Sequence, residues 1–207
     1  MSGCCPQCGY EDLFGDRFAR RTAKRYRRKG LDAEQRRMVE FLGDAESVLE
    51  IGGGVGAIAL DVGKHGASAT VVEVVPAYEP FARELAREGG VELDFRLADL
   101  VADPDAVEGA DAVALNKVVC CTPDGVRLTA TAGRLARRRL ALSFPRDTRP
   151  ARLFARAQNV VFRLLRRRFR VYVHPRAALV AAAEADGLRL AYEHVGLVWR
   201  VAGFERA

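Results

Sequence analysis

The chain has 207 residues, 49% of them hydrophobic, which supports one sizeable core with a small appendage and argues against a second full domain. Its formal charge is +6, and the basic side is almost all arginine, since only Lys24, Lys29, Lys64 and Lys117 are lysines; forked guanidinium groups suit carboxylates and phosphates, although a plain bias towards Arg and Ala gives the same count. No apolar run reaches the ~18 residues of a membrane span, and the N-terminus MSGCCPQCG lacks the apolar core of a secretory signal, so the expectation is a cytoplasmic protein with no transmembrane segment.

Cys4, Cys5 and Cys8 open the chain. With Cys120 and Cys121 they form two clusters of adjacent thiols, a poor layout for a disulfide framework. Cys5-x-x-Cys8 has the spacing of half a zinc site, but no second C-x-x-C follows and only Cys120 and Cys121 could complete it, so free thiols and no metal are expected. Phe14, Phe18, Thr22 and Tyr26 then recur every four residues, on one side of a helix that carries seven basic residues between Arg17 and Arg28 and ends at Gly30. A second helix is predicted over Asp32 to Leu42.

From Ser47 the pattern alternates. Strands are predicted at Ser47 to Ile51, Ser68 to Val74, Val91 to Leu97, Asp111 to Leu115 and Leu140 to Phe144. Between them fall helices at Val55 to Lys64, Ala77 to Glu88, a short one near Pro104, and Pro123 to Arg137. Such alternation implies right-handed crossovers and a parallel sheet with helices on both faces. An arginine-rich amphipathic stretch, Thr148 to Arg170, and an alanine-rich helix, Pro175 to Asp186, come next. Two apolar runs, Leu188 to His194 and Leu197 to Phe204, are separated by too few residues for a crossover helix and must pair antiparallel. The expected fold class is therefore α/β, a Rossmann-like seven-stranded sheet with a C-terminal antiparallel hairpin.

The first predicted strand stops in four glycines within five positions, Gly52, Gly53, Gly54 and Gly56, with Glu50 just before the turn. Backbone without Cβ atoms can come within contact of a nucleotide-like ligand at a helix N-terminus. Gly52-x-Gly54-x-x-Ala57, with Glu73 about 20 residues on, also fits the dinucleotide fingerprint, whose acid accepts the ribose hydroxyls. Glu50 and Gly56 extend the run to E-x-G-x-G-x-G, and Asp99 supplies a second acid after the third strand.

With the terminal hairpin, these residues resemble the class I methyltransferases that bind S-adenosylmethionine, and the resemblance covers residues 46 to 206. It implies a methyltransferase domain over 46–207 with an Arg-rich insertion at about 148–172, behind an N-terminal Cys-containing segment with basic helices over 1–45. It also implies cofactor contacts at Glu50, Gly52, Gly54 and Gly56, at Glu73 for the ribose, at Ala98 and Asp99 for the adenine, and at Asn116 beside the methyl group. His174, between the insertion and the last helix, falls where the family places substrate-contacting residues; with Asn116 it is a catalytic candidate, although a structural role is the preferred reading for it.

Methyl transfer is an in-line displacement, so alignment and exclusion of water matter most, and a carboxylate acceptor needs no base. Asn116-Lys-Val-Val-Cys-Cys-Thr-Pro123 does not match the N-P-P-Y or D-P-P-Y of amino-methylating members, nor the Pro-Cys of cytosine C5 enzymes. The same motif, with the insertion, loosely resembles the magnesium-protoporphyrin O-methyltransferases, which esterify a porphyrin propionate. The leading expectation is thus methylation, preferably on oxygen, of a small hydrophobic or acidic acceptor, with the insertion capping the pocket. Alternatives are an RNA methyltransferase using its arginines on phosphates, a metalloid methyltransferase holding its substrate on Cys120 and Cys121 as arsenite methyltransferases do, and a catalytically silent binding module. Basic amphipathic helices also allow peripheral membrane contact.

Overall fold

Val48 to Ile51 are buried in succession, so the first strand can only be central, covered on both faces. A computed structural model describes residues 9–206; Cys4, Cys5 and Cys8, and with them the half zinc motif, lie outside the described residues. Strands β1 (Ser47–Ile51), β2 (Ser68–Glu73), β3 (Leu93–Leu97), β4 (Ala110–Asn116) and β5 (Ala136–Pro145) run parallel, and β6 (Leu188–Val195) and β7 (Trp199–Arg206) complete one seven-stranded sheet. Its order is β3-β2-β1-β4-β5-β7-β6. β7 lies antiparallel between β5 and β6. Burial explains which strand goes inside, since Val201 to Phe204 are buried consecutively in β7 whereas β6 alternates as an edge strand does.

Helices cover both faces. On one lie α2 (Asp16–Lys29), α3 (Ala33–Leu42), α4 (Ala57–Gly63) and α5 (Glu79–Gly89), which bring Ala19, Ala23, Met38, Ile58, Leu60 and Ala82 to one core. On the other, α6 (Gly125–Leu135) and α8 (Arg176–Glu184) set Leu128, Ala132, Leu179 and Ala183 against Leu115, Leu140 and Phe204. The N-terminal helices share a core with β1 and α4 and are part of the same packed body.

Three local expectations are revised, and the helical spacing of the arginine-rich insertion is met. The first basic helix is broken at Gly15 into α1 (Glu11–Phe14) and α2. No helix forms near Pro104: Asp99 accepts from the Val101 amide through Oδ1 and from the Ala102 and Asp103 amides through its carbonyl, turning the chain just before a proline that disfavours helix at Asp103. β5 starts at Ala136 and takes in Arg137 to Arg139, whose charged, mostly outward side chains hide the strand from a hydrophobicity reading. The arginine-rich insertion folds as α7 (Arg149–Leu164), capped by Thr148, whose hydroxyl accepts from the Ala151 amide at 3.3 Å.

Candidate active site

At the end of β1 the chain turns left-handed at Gly52, with φ +61°, and the Gly52 amide donates to the Val72 carbonyl at 2.7 Å. A Cβ there would stand 2.7 Å from both γ-methyls of Val118. Two residues on, the Gly54 amide donates to Glu73 Oε2 at 2.9 Å. Glu73 closes β2, and its other oxygen accepts from the amides of Val74 and Val75 at 2.7 and 3.0 Å. Burial pushes this carboxyl above its ordinary range, and the three amides oppose that shift by favouring the ionised form.

Glu50 stands behind the loop. Its Oε2 accepts from the Ile58 and Ala59 amides at 3.0 and 2.9 Å, which caps the N-terminus of α4 and fixes the loop between them. Glu50 and Gly56 do not line the cavity in front of the loop, so their contribution to it is the shape of the turn. Burial drives the Glu50 carboxyl up to about 8, against the pull of the two amides and with Glu73 adding to the rise. A carboxyl that holds its proton more tightly folded than unfolded stabilises the fold most below its unfolded value, and that contribution is lost as pH rises through about 8. Between pH 5.5 and 8.5 the unfolding free energy is therefore expected to fall, by roughly 2–4 kcal/mol from this group. Glu50→Gln should flatten the slope in urea titrations; an unchanged slope would show that Glu50 ionises normally.

The loop opens on a cavity of about 440 Å³ at the carboxyl ends of β1, β2 and β4, a size usual for small-molecule sites. The cavity is lined by Gly52, Gly53, Gly54, Glu73, Ala98 and Asp99 and by the apolar Val72, Leu100 and Val101. Six of the expected site residues, Gly52, Gly54, Glu73, Ala98, Asp99 and Asn116, thus line one space. The Ala98 amide donates to the Glu73 carbonyl at 3.1 Å, which ties the ends of β2 and β3 together.

Asn116, Lys117, Cys121 and Thr122 line the same cavity. The Lys117 amide donates to Ser143 Oγ at 2.9 Å, so the hydroxyl proton is free to go to Asn116 Oδ1 at 2.8 Å. This relay fixes the Asn116 carbonyl and leaves its NH2 as the available donor. Lys117 itself is left-handed, with φ 61°, an uncommon conformation for a residue with a Cβ. Its Nζ reaches Asp32 at 2.8 Å and Glu34 at 3.1 Å and lies 5.3 Å from the centroid of the Trp199 ring. Asp32 in turn caps α3 in a reciprocal box with Gln35, so the strained lysine clamps the start of α3 to the end of β4. The partnership with Lys117 and the Gln35 amide holds the Asp32 carboxyl below its usual range despite burial, which pulls the other way.

The lid is where sequence reasoning went wrong. No residue of α7 or of the following arginine turn lines the cavity; Tyr10, Phe14, Phe18, Thr22, Arg25 and Tyr26 from the N-terminal helices do. The recurrence of Phe14, Phe18, Thr22 and Tyr26 carried the signal, since core burial in α2 falls instead to Ala19, Ala23 and one side of Tyr26. Burial and the nearby carboxyls of Asp61 and Glu50 push the Tyr26 hydroxyl up to about 12, so it stays protonated.

His174 sits in the structural setting that is the preferred reading for it. Its Nε2 lies 2.9 Å from the Val119 carbonyl and 3.0 Å from that of Thr122, and two acceptors require the proton on Nε2. The ring pins the turn after β4 from behind and does not line the cavity. Cys120 and Cys121 are free thiols with sulfurs 3.9 Å apart, of which only Cys121 reaches the cavity. Their contact pushes the Cys121 thiol well up, with burial adding to the rise, and draws the Cys120 thiol down, so the two do not ionise together. Among the described residues no group of three or more His, Cys, Asp or Glu side chains could hold a metal ion.

Residues 49–141, from β1 into β5, match the family model described as a methyltransferase domain. No curated protein matches the sequence significantly. Among solved structures, magnesium protoporphyrin IX methyltransferase from Synechocystis PCC 6803 with bound SAM is similar at 18% identity with a TM-score of 0.71, over 100% of both chains. An O-methyltransferase family protein from Burkholderia thailandensis is similar at 14% identity and a TM-score of 0.71, over 92% of this chain and 60% of that one. A family 2 O-methyltransferase from Planctomyces limnophilus, in complex with apigenin, follows at 17% identity and 0.68, over 93% and 62%. At such identities the structures speak for the fold, and the family match speaks for the activity that goes with it. A central strand running into the E-x-G-x-G-x-G loop, an acid at the end of β2, a β7 inserted antiparallel beside β5 and the methyltransferase domain matched over residues 49–141 together support a class I S-adenosylmethionine-dependent methyltransferase, an enzyme that uses S-adenosylmethionine.

Proposed function

We propose that the protein methylates an oxygen of a small hydrophobic acceptor, by preference a carboxylate. The observation that carries this reading is the make-up of the cavity. Its wall is aromatic, with Tyr10, Phe14, Phe18 and Tyr26, while the acids that face the cavity already have partners: Glu73 with three amides, Asp99 with the Val101 amide, and Asp32 with Lys117. An acceptor that arrives as an anion needs no proton removed, and Arg25 in the same wall, whose contact with Asp32 is a long 3.8 Å, is the cation nearest to hand for it, Lys117 being held by Asp32 and Glu34.

The chain's own parts fit the cofactor, because a buried carboxylate with unused lone pairs lines a pocket beside bare glycine backbone. Glu73 accepts the ribose hydroxyls, Gly52 and Gly54 let the backbone close on the amino-acid portion, and Ala98 and Asp99 contact the adenine. Glu50 and Gly56 hold the loop's shape from behind. Asn116 turns its NH2 towards the reacting centre, oriented by Ser143. When bound, S-adenosylmethionine supplies a sulfonium methyl open to in-line attack. The N-terminal helices α1 and α2 serve as a lid on the catalytic domain and exclude water through their aromatic face. His174 and the thiols take no part in the transfer.

The likeness to a magnesium protoporphyrin IX methyltransferase makes flat, acid-bearing macrocycles worthwhile acceptors to try, beside aryl and long-chain acids. With labelled S-adenosylmethionine, the expected product is a methyl ester that mild alkali hydrolyses to methanol. A base-stable ether or a methylated amine would replace the carboxylate reading, and label transferred to RNA would remove the small-molecule acceptor.

A further inference from the structure

α7 carries an apolar face that nothing in the fold covers. Only Ala155 and Phe162 of its 16 residues are buried, whereas Leu153, Phe154 and Leu164 are 67%, 70% and 76% exposed, and Val160, Val161 and the capping residue Leu165 are exposed beside them. At 3.6 residues per turn, positions 153, 154, 157, 160, 161 and 164 fall on one continuous side, and arginines 149, 152, 156 and 163 fall along its edge. The helix contains no acidic residue. Arg152 is paired with Asp147. Among the described residues, Arg149, Arg156 and Arg163 have no carboxylate within ion-pair distance. Next to the start of α7 stands the β6–β7 turn, held there by the Arg146 amide, which donates to the Val198 carbonyl at 2.9 Å; its tip is Leu197, 90% exposed, and Val198.

Water-facing apolar surface of this extent marks a contact surface, and the charge beside it selects the partner. Two copies of this face brought together would oppose arginine edge to arginine edge. A nucleic acid would meet leucine and valine where stacking rings are needed, since Phe154 is the one aromatic residue on the exposed side. A bilayer with anionic headgroups satisfies both halves at once, taking the apolar side chains among its acyl chains and the guanidinium groups at phosphate level. We propose that α7 is an in-plane anchor that lays the protein on an anionic lipid surface, with the β6–β7 turn as a second point of insertion. The anchor reaches the lid directly: Phe162 packs on Phe169 at 5.8 Å between ring centroids, Phe169 packs on Phe14 at 5.2 Å, and Phe14 lines the cavity. A lipophilic acceptor dissolved in the bilayer would thus enter beside the helix that docks. This last step rests on the proposed acceptor class, whereas the docking does not.

The test is co-sedimentation of the full chain with vesicles of phosphatidylcholine alone and of phosphatidylcholine mixed with phosphatidylglycerol, with light scattering of the protein without lipid. The expected result is binding to the mixed vesicles, weakened by salt, and little binding to the neutral ones. Leu153→Glu combined with Phe154→Glu should lower partitioning tenfold or more, and Arg149→Gln, Arg156→Gln and Arg163→Gln together should remove the preference for anionic lipid. Both sets lie outside the cavity and are solvent-exposed, so melting temperature and S-adenosylmethionine binding should stay as in the wild type. Failure to bind either vesicle would overturn the proposal, as would a wild-type dimer that Leu153→Glu with Phe154→Glu dissociates. Loss of methyl transfer to every acid, with lipid binding intact, would strike the acceptor reading alone.

Discussion

Glu73→Ala is expected to abolish detectable binding of S-adenosylmethionine and S-adenosylhomocysteine in calorimetry while the protein stays folded. Two losses combine. The carboxylate is the proposed partner of both ribose hydroxyls, and hydrogen bonds to a charged group contribute about 1.5–3 kcal/mol each. The same carboxylate also positions the loop, because it holds the Gly54 amide on one oxygen and the Val74 and Val75 amides on the other. Together these predict a fall in affinity of at least ~100–1000-fold. Glu73→Gln sharpens the test, since either orientation of the new amide sets an NH2 against a backbone N–H and only one side of the network can survive. It should fall between wild type and alanine. Wild-type affinity in Glu73→Ala would remove the residue from the site.

Gly52→Ala should be nearly as damaging, for a different reason. A left-handed dihedral costs a residue with a Cβ about 1–2 kcal/mol, and the added methyl group would press on both γ-methyls of Val118 at 2.7 Å. Neither neighbour can move far: Val118 follows the clamped Lys117, and the Gly52 amide is bonded to Val72. The loop is expected to shift and cofactor affinity to drop by roughly 100-fold or more, a loss of about 3 kcal/mol. Adding Val118→Ala restores the space but not the dihedral, so it should recover part of the loss. Full recovery would mean that packing alone was at stake, and no initial loss would mean that the loop does not seat the cofactor.

How far the sequence could be read follows from how local each determinant is. β1 is found at Ser47–Ile51 as expected because an apolar run buried on both faces and ended by glycines leaves no second way to place it. The spacing from Gly54 to Glu73 was legible for the same reason, one strand–helix–strand unit fixing both ends. The lid was not legible. Which of two basic amphipathic helices covers the pocket depends on where each lands on the sheet, and a period of four is the same for a face that meets a core and one that meets a cavity. For His174 two readings stood side by side because a histidine that bonds two carbonyls from behind a turn has the same sequence neighbourhood as one that faces a substrate. The helix expected near Pro104 gave way to side-chain turns at Asp99 that compete with helical hydrogen bonds.

The insertion of β7 between β5 and β6 bears on the order in which the molecule can be assembled. Its inner position means that β5 stays an open edge, and β6 has no neighbour in the sheet, until residues as late as Trp199–Arg206 have left the ribosome. The parallel half around β1 can form its contacts during synthesis, but closure of the sheet waits for the last strand of the chain. The intermediate before that step exposes a strand edge next to buried-type side chains, the species most prone to stick to its own kind.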